Sequence, residues 1–253
     1  MLEAFGRTDV GRRRKLNEDS LLVAPEPNLY AVCDGMGGHN AGEVASQMAI
    51  ETLAAFIEKS HKEKEITWPY GLDVNLSFDG NRLKTAIKLA NKKVFRAADN
   101  REEYTGMGTT VVAAVVSGNL MTVGSAGDSR CYLVREGALS QLTRDDSWVS
   151  AALGEGILNS EEVERHPLRN VITKAVGAKE TIDLDVVEHK FLPGDVAFLC
   201  SDGLHAMLHD SEILQQVTPM PASLEEAVGK LIDAANEAGG KDNVSVVMLR
   251  YTE

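Results

Sequence analysis

The apolar positions of this chain fall into two periods, and their order predicts many short strands with a few helices set between them. Stretches 2–10, 20–24, 29–33, 108–117, 120–126, 129–135, 139–143, 182–191, 196–200 and 244–251 alternate or stay apolar over strand lengths. Two longer stretches repeat at helical spacing. One starts at Ala41 and carries Ala45, Met48, Ala49, Leu53, Phe56 and Ile57, with Asn40 or the glycines before it as its cap; the other carries Leu83, Ile87, Ala90, Val94 and Ala98. Stretches 211–217 and 223–238 add two helices, the last with a Ser223/Glu226 capping box and a Gly239 stop. Shorter helices are expected at 147–154 and from Asn159 or Ser160 to His166-Pro167. Pro25/Pro27, Gly118-Asn119 and Glu136-Gly137 mark hairpin turns, and strands joined by such short links are expected to pair antiparallel.

Nothing in this pattern divides the chain, and one domain spanning 1–253 is expected. The connector from His61 to Gly80 has no sustained period, and its Trp68 and Tyr70 are read as anchors that pack it down. Stretch 154–176 is polar and interrupted by Gly154, Gly156 and Pro167, a composition that suits a flap over a functional site better than core packing.

Composition narrows the partners. With 26 Lys and Arg against 38 Asp and Glu the formal charge is −12, which opposes binding to nucleic acid or an anionic membrane. Cys33, Cys131 and Cys200 are widely spaced within apolar runs and read as buried thiols of a reducing compartment. No apolar signal core is visible near the start, where Arg12-Arg13-Arg14-Lys15 leads into Leu16-Asn17-Glu18-Asp19, and the longest apolar run is far below the about 20 residues a bilayer requires. A cytoplasmic monomer without membrane contact is the expectation.

The chemistry sits where strands end. The run Leu29-Tyr30-Ala31-Val32-Cys33 stops at Asp34-Gly35-Met36-Gly37-Gly38-His39, so a carboxylate is delivered into a glycine turn where backbone can approach a small ion or phosphate. Gly127-Asp128, Asp202-Gly203 and Asp242-Asn243 repeat that placement, and the first hairpin brings Glu18 and Asp19 toward the same end. Like charges about 4 Å apart repel by roughly 4 kcal/mol at an effective dielectric near 20, so a converging cluster needs cations or protons. An all-oxygen donor set selects Mg²⁺ or Mn²⁺ over zinc, and two such ions are the natural complement.

The ordered motifs Arg14-x-x-Asn17-Glu18-Asp19, Asp34-Gly35-Met36-Gly37-Gly38, Gly106-Met107-Gly108-Thr109-Thr110, Gly127-Asp128-Ser129-Arg130, Ser201-Asp202-Gly203-Leu204 and Gly240-x-Asp242-Asn243-Val244 resemble those of the metal-dependent protein serine/threonine phosphatases of type 2C in their compact bacterial form. The resemblance spans essentially the whole chain. It implies an α+β fold, an α-β-β-α sandwich of two antiparallel sheets flanked by helix pairs. It further implies that Asp34 bridges two metals, that the Gly35 carbonyl ligates the second, and that Asp202 and Asp242 hold the first. Glu18 and Asp19 would bind the second metal or its waters, Asp128 a weaker third ion near the flap, and Arg14 the substrate phosphate without touching the ions.

By the same resemblance, a water bridging both metals attacks the phosphorus of phosphoserine or phosphothreonine in a protein, reversing a cognate serine/threonine kinase. Where many eukaryotic members carry a histidine after the Asp-Gly pair this chain has Met36, which leaves the leaving-group acid open; His39 is near enough in sequence to serve, and His166 in the flap is a weaker candidate. Two other classes stay in view. A phospho-dependent binding module would keep the fold and lose a metal aspartate, and none is lost here. A metal-dependent nuclease shares the cation logic but conflicts with the acidic balance.

Overall fold

The computed structural model describes residues 1–38, 41–63 and 67–252. His39, the candidate acid, and Asn40, the candidate cap, lie outside the described residues. In chain order the elements are β1 (Leu2–Asp9), β2 (Asp19–Ala24), β3 (Leu29–Met36), α1 (Ala41–Lys62), α2 (Phe78–Asn100), β4 (Gly108–Thr109), β5 (Val111–Ser117), β6 (Leu120–Ala126), β7 (Arg130–Arg135) and β8 (Ala138–Gln141). There follow α3 (Trp148–Gly154), α4 (Ser160–Arg165), β9 (Asp185–Lys190), β10 (Val196–Cys200), α5 (Asp202–His205), α6 (Asp210–Val217), α7 (Leu224–Glu237) and β11 (Val244–Tyr251).

The strands form two antiparallel sheets, ordered β1-β11-β10-β7-β8 and β2-β3-β5-β6-β9, with β4 attached to β3. Period-two alternation divides each strand between two cores. Tyr30 and Val32 of β3, Val112 and Ala114 of β5, Ala197 and Leu199 of β10 and Val247 and Leu249 of β11 fill the layer between the sheets. The opposite face of the first sheet, with Phe198, Val246 and Met248, packs on α6 and α7; that of the second, with Ala31, Cys33 and Ala113, packs on α1 and α2. The result is the expected α-β-β-α sandwich. All three cysteines are free and buried, as read from the sequence.

Three local expectations change. The link 127–129 is as short as a hairpin turn, yet β6 and β7 do not pair. Both edges of β6 are taken, by β5 and by β9 in the register Leu120↔Lys190 to Ser125↔Asp185, so the chain crosses to the other sheet, where β7 pairs with β10. The stretch 108–117 is two strands, because at Thr110 the chain turns to serve Asp34: the Thr110 N–H donates to the Asp34 carbonyl at 2.9 Å and its Oγ1 accepts the Asp34 N–H at 2.9 Å. The second helix starts at Phe78, before the Gly80 assigned to the connector, because Ser77 caps it by accepting the Gly80 N–H at 3.0 Å. Trp68 packs edge-on against Phe78 at 5.5 Å, and the Tyr70 hydroxyl donates to the Lys88 carbonyl at 3.3 Å, as expected of anchors.

Buried Asn91 of α2 holds the segment after the flap: its Oδ1 accepts the Gly177 N–H at 2.8 Å, and its Nδ2 donates to the Lys179 and Glu180 carbonyls at 3.0 Å. Asn91→Ala strands these backbone groups and is expected to cost about 2 kcal/mol, lowering the thermal midpoint by roughly 4–8 °C in a melting experiment.

Candidate active site

The rows that fill the inter-sheet layer continue, at one end of the sandwich, into polar residues. Tyr30 and Val32 are followed on the same face by Asp34; Leu21 and Val23 are preceded by Asp19; Ala197 and Leu199 lead to Ser201; Val247 and Leu249 are preceded by Ser245. In the β2–β3 register Asp19 stands directly opposite Asp34, a pairing of like charges that destabilises a sheet unless something else compensates. Ser201 and Ser245, from the other sheet, both donate to Asp19 Oδ2 at 2.7 Å. Asp19 Oδ1 is buried and has no hydrogen-bond partner among the described residues, and neither has Asp202 Oδ1.

Asp202 opens α5, directly after β10. A Cβ on Gly203 would collide with the Asn243 carbonyl, and one on Gly35 would collide with the Gly42 carbonyl and the Glu18 carbonyl. These glycines let two segments of backbone touch and so bring the acid-bearing turns together. That is a different use from the approach to a ligand expected from sequence, although the Gly35 carbonyl remains beside the acids.

The basic loop is bound to the last of these turns. The Arg12 N–H donates to the Gly240 carbonyl at 2.7 Å. Asn243 accepts the Glu18 N–H at 2.8 Å and donates through Nδ2 to the Val10 and Leu16 carbonyls at 2.9 Å. Half-exposed Arg14 donates from Nη2 to Asp242 Oδ2 at 2.7 Å, with Nη1 3.8 Å from Glu18 Oε2. The guanidinium that the resemblance assigns to the substrate phosphate is thus bonded to Asp242 in this structure.

Asp128 lies where the chain crosses between the sheets. The Gly127 N–H donates to Asp146 Oδ2 at 3.2 Å, the Asp146 N–H donates to the Gly127 carbonyl at 2.8 Å, and Lys174 binds Asp146 Oδ1 at 2.8 Å. His205 Nε2–H donates to the Asp128 carbonyl at 3.0 Å. Arg130 grips Asp145 through Nε and Nη2, the latter at 2.8 Å, and donates to the Tyr132 hydroxyl, which donates to Asp210 at 3.1 Å. A cavity of about 810 Å³ opens here: Asp128 and Asp202 line it, with Val163, Arg169 and Asn170 of the flap on one side and His205 and His209 on the other. His166 is occupied within the flap, stacked on Trp148 at 4.8 Å while its Nδ1 accepts the Leu168 N–H.

Sequence reading missed Asp145, Asp146 and His205 as site residues. The pattern offered no signal for them, since a charged pair after a strand and a histidine in a four-residue helix look like solvated surface.

Electrostatics reflect this crowding. Burial first, then Asp19 and Asp202, pushes the Asp34 carboxyl well above the usual carboxylate range. Burial raises Asp19 against the lowering hydroxyls of Ser245 and Ser201, and burial followed by Asp242 and Asp19 raises Asp202. Asp128 is pushed up to about 7 by burial, with Asp202 and Asp145 adding to it. Burial, and secondarily Arg130, lowers His205 to about 3 and keeps its ring neutral as a hydrogen-bond donor. Among the described residues no group of three His, Cys, Asp or Glu side chains is already drawn together tightly enough to cage an ion. The orphaned oxygens of Asp19 and Asp202, in a donor set made of oxygen alone, nevertheless fit hard divalent cations.

Comparison with known proteins agrees with the fold. Residues 11–237 match the family described as Protein phosphatase 2C. The chain belongs to the protein phosphatase 2C family. Within it, the chain is 34% identical over 255 residues to the serine/threonine phosphatase stp of Listeria welshimeri, covering 98% of this chain and 95% of that protein. The crystal structure of the Mycobacterium tuberculosis serine/threonine phosphatase PstP/Ppp superposes with a TM-score of 0.85 at 34% identity, covering 100% of this chain and 99% of that one. A structure of the PstP catalytic domain in complex with two manganese ions gives a TM-score of 0.84 at 33% identity, with 100% and 99% covered.

Two outcomes follow for this phosphatase 2C member. The folded protein holds protons on Asp128 and its neighbours that the unfolded chain has released, so the unfolded state binds fewer protons and stability falls with rising pH between the ordinary carboxylate range and about 7. In chelator the melting temperature should accordingly drop from pH 5 to pH 8. Mn²⁺, which binds the deprotonated acids, should raise it more at pH 8 than at pH 5. If Arg14 binds the substrate phosphate as the resemblance implies, Arg14→Ala should raise KM for a phosphopeptide about ten- to a hundredfold, a charge-assisted contact being worth about 1.5–3 kcal/mol, and should lower the Mn²⁺ concentration needed, because Asp242 loses its competing cation. Steady-state kinetics across a metal titration reads both.

Proposed function

We propose that this chain hydrolyses phosphoserine and phosphothreonine in proteins, using divalent cations held by its clustered acids. The observation that carries the reading is the gathering of Asp19, Asp34 and Asp202 from both sheets at one end of the inter-sheet layer, with two buried carboxylate oxygens left unpartnered among the described residues. Family membership supports the same chemistry. Asp34, Asp202 and Asp242, with the Gly35 carbonyl, would hold two central ions, with Glu18 and Asp19 serving the second ion or its waters. Asp128 would hold a weaker third. When bound, such ions supply an acidified water for in-line attack and positive charge for the phosphoryl oxygens.

The chain's own residues do the rest. Arg14 turns its planar fork from Asp242 to the phosphate, matching two oxygens at once. Ser201 and Ser245 fix Asp19 so that Oδ1 faces the acids. The flap at 154–176, with Ser147 and Val149 before it, walls the cavity in which the rest of a substrate protein would lie. His39 is retained as the candidate leaving-group acid. Mg²⁺ or Mn²⁺ as the native ion, a cognate serine/threonine kinase, a monomeric state and action in the cytoplasm complete the proposal; among the described residues no helix is long and apolar enough to cross a membrane. A nuclease is disfavoured by the acids that surround the cavity, Asp128, Asp145, Asp202 and Asp210, which repel a polyanion.

The test is hydrolysis of a phosphopeptide with Mn²⁺ and in chelator. Turnover is expected only with the metal, and full activity in chelator overturns the reading. Asp34→Asn should abolish turnover and raise the melting temperature of the metal-free protein, because it removes a buried carboxyl that must either repel its neighbours or take up a proton on folding. Asp128→Ala should lower turnover and raise the metal concentration required while the two central ions stay in place, as calorimetry would report.

A further inference from the structure

We infer that the outer groove between α1 and α2 is a docking site for an acidic, apolar-containing segment of a partner protein. On α2, Lys84, Lys88, Lys92 and Arg96 recur every fourth residue, with Lys93 beside them. Residues at that spacing are neighbours on one helix face, so each pair of like charges there weakens the helix that carries it. The chain as a whole has a charge of −12, which makes a concentrated cationic stripe the reverse of its average surface. A feature that costs local stability and runs against the composition calls for a ligand of opposite charge.

The two ends of the stripe differ. Lys84 binds Asp73 at 2.9 Å and Lys88 lies 5.5 Å from the centre of the Tyr70 ring, so the connector occupies that end. Lys92, Lys93 and Arg96 are exposed and form no ion pair among the described residues. Across from them, Lys59 of α1 reaches Glu63 only at 3.9 Å, Glu58 is committed to Lys62, and Glu51 accepts the Gln47 amide. The four cations Lys59, Lys92, Lys93 and Arg96 thus rim a groove of about 470 Å³ whose floor includes half-buried Phe56 and Leu89.

The shape selects the occupant. A bilayer surface is met by fully exposed bulky apolar side chains below a basic face, and here Phe56 and Leu89 are half-buried. A nucleic acid extends its charge well beyond the groove and meets the acidic remainder of the surface. A short acidic segment stays within about one Debye length, roughly 10 Å at 0.1 M salt, of the four cations. An amphipathic acidic helix laid along the groove can seat one bulky apolar side chain on Phe56 and Leu89 while its carboxylates meet the rim. Phe56 lies roughly 20 Å along α1 from Ala41, the helix end beside the acids, so the groove is separate from the catalytic centre.

The probe is a fluorescently labelled helical peptide of glutamates with leucine at every third or fourth position, titrated with the whole protein. A matched peptide with serine for leucine and vesicles of phosphatidylglycerol are run beside it. The variants are the triple reversal Lys92→Glu, Lys93→Glu, Arg96→Glu and the single change Leu89→Ser. Wild type should bind the leucine peptide in a salt-sensitive manner. The reversal should weaken binding at least about tenfold, and its melting temperature should stay near that of wild type, since position 92 becomes an opposite charge to Lys88 while 92 and 96 remain a like-charged pair. Turnover of p-nitrophenyl phosphate with Mn²⁺ should be unchanged in both variants, which reads the catalytic proposal separately. The inference is overturned by absent binding, by equal affinity in the reversal variant, by equal affinity for the serine peptide, or by capture of vesicles without capture of peptide.

Discussion

The structure depends on a repulsion that the fold does not allow to relax. Asp19 and Asp34 face each other across β2 and β3, and Asp202 arrives from the opposite sheet at the same end of the inter-sheet layer. Strand pairs hold directly opposed residues about 4.5–5.5 Å apart, so the two acids of the hairpin cannot separate without breaking the ladder behind them. Hydroxyls from Ser201 and Ser245 and the guanidinium of Arg14 offset part of the cost. What they leave is a set of carboxylates raised toward protonation and, among the described residues, two buried oxygens without partners, a charge imbalance of the kind that a proton or a cation offsets.

Such an arrangement works only if the backbones that carry the acids are held rigidly, and small residues make that contact. Gly35 rests against the backbone of Gly42 and Glu18, and Gly203 against that of Asn243, leaving no room for a Cβ in either place. Asn243 in turn ties the basic loop to the last strand through Val10, Leu16 and Glu18. Arg14, Glu18, Asp19 and Asp242 therefore share one hydrogen-bonded unit despite a sequence separation of more than two hundred residues.

The side of the site near the flap is built differently. There Asp146 and His205 hold the Gly127-Asp128 turn by side-chain contacts, and the flap contributes exposed Ile157, Leu168 and Val171 in place of a core of its own. Few buried apolar contacts give such a segment lower local stability than the sheets. Backbone contacts thus fix the acid-bearing turns on one side, and side-chain contacts fix the Gly127-Asp128 turn on the other.

Much of this was written in the local pattern. Period-two and helical spacing located nearly every strand and helix, and glycine-flanked aspartates at strand ends marked Asp34, Asp128, Asp202 and Asp242 as a group, because those signals depend only on neighbours a few positions away. Which strands pair is a competition among edges, so the crossing from β6 to β7, and with it the place of Asp128, emerged only once β9 had claimed the free edge of β6. The bond between Arg14 and Asp242, the pairing of Ser201 and Ser245 with Asp19, and the roles of Asp145, Asp146 and His205 likewise join residues distant in the chain. The sequence determined which groups the chain carries and on what local element each sits; tertiary structure decided which of them meet, because close packing of two sheets selects neighbours by shape and edge occupancy and not by distance along the chain.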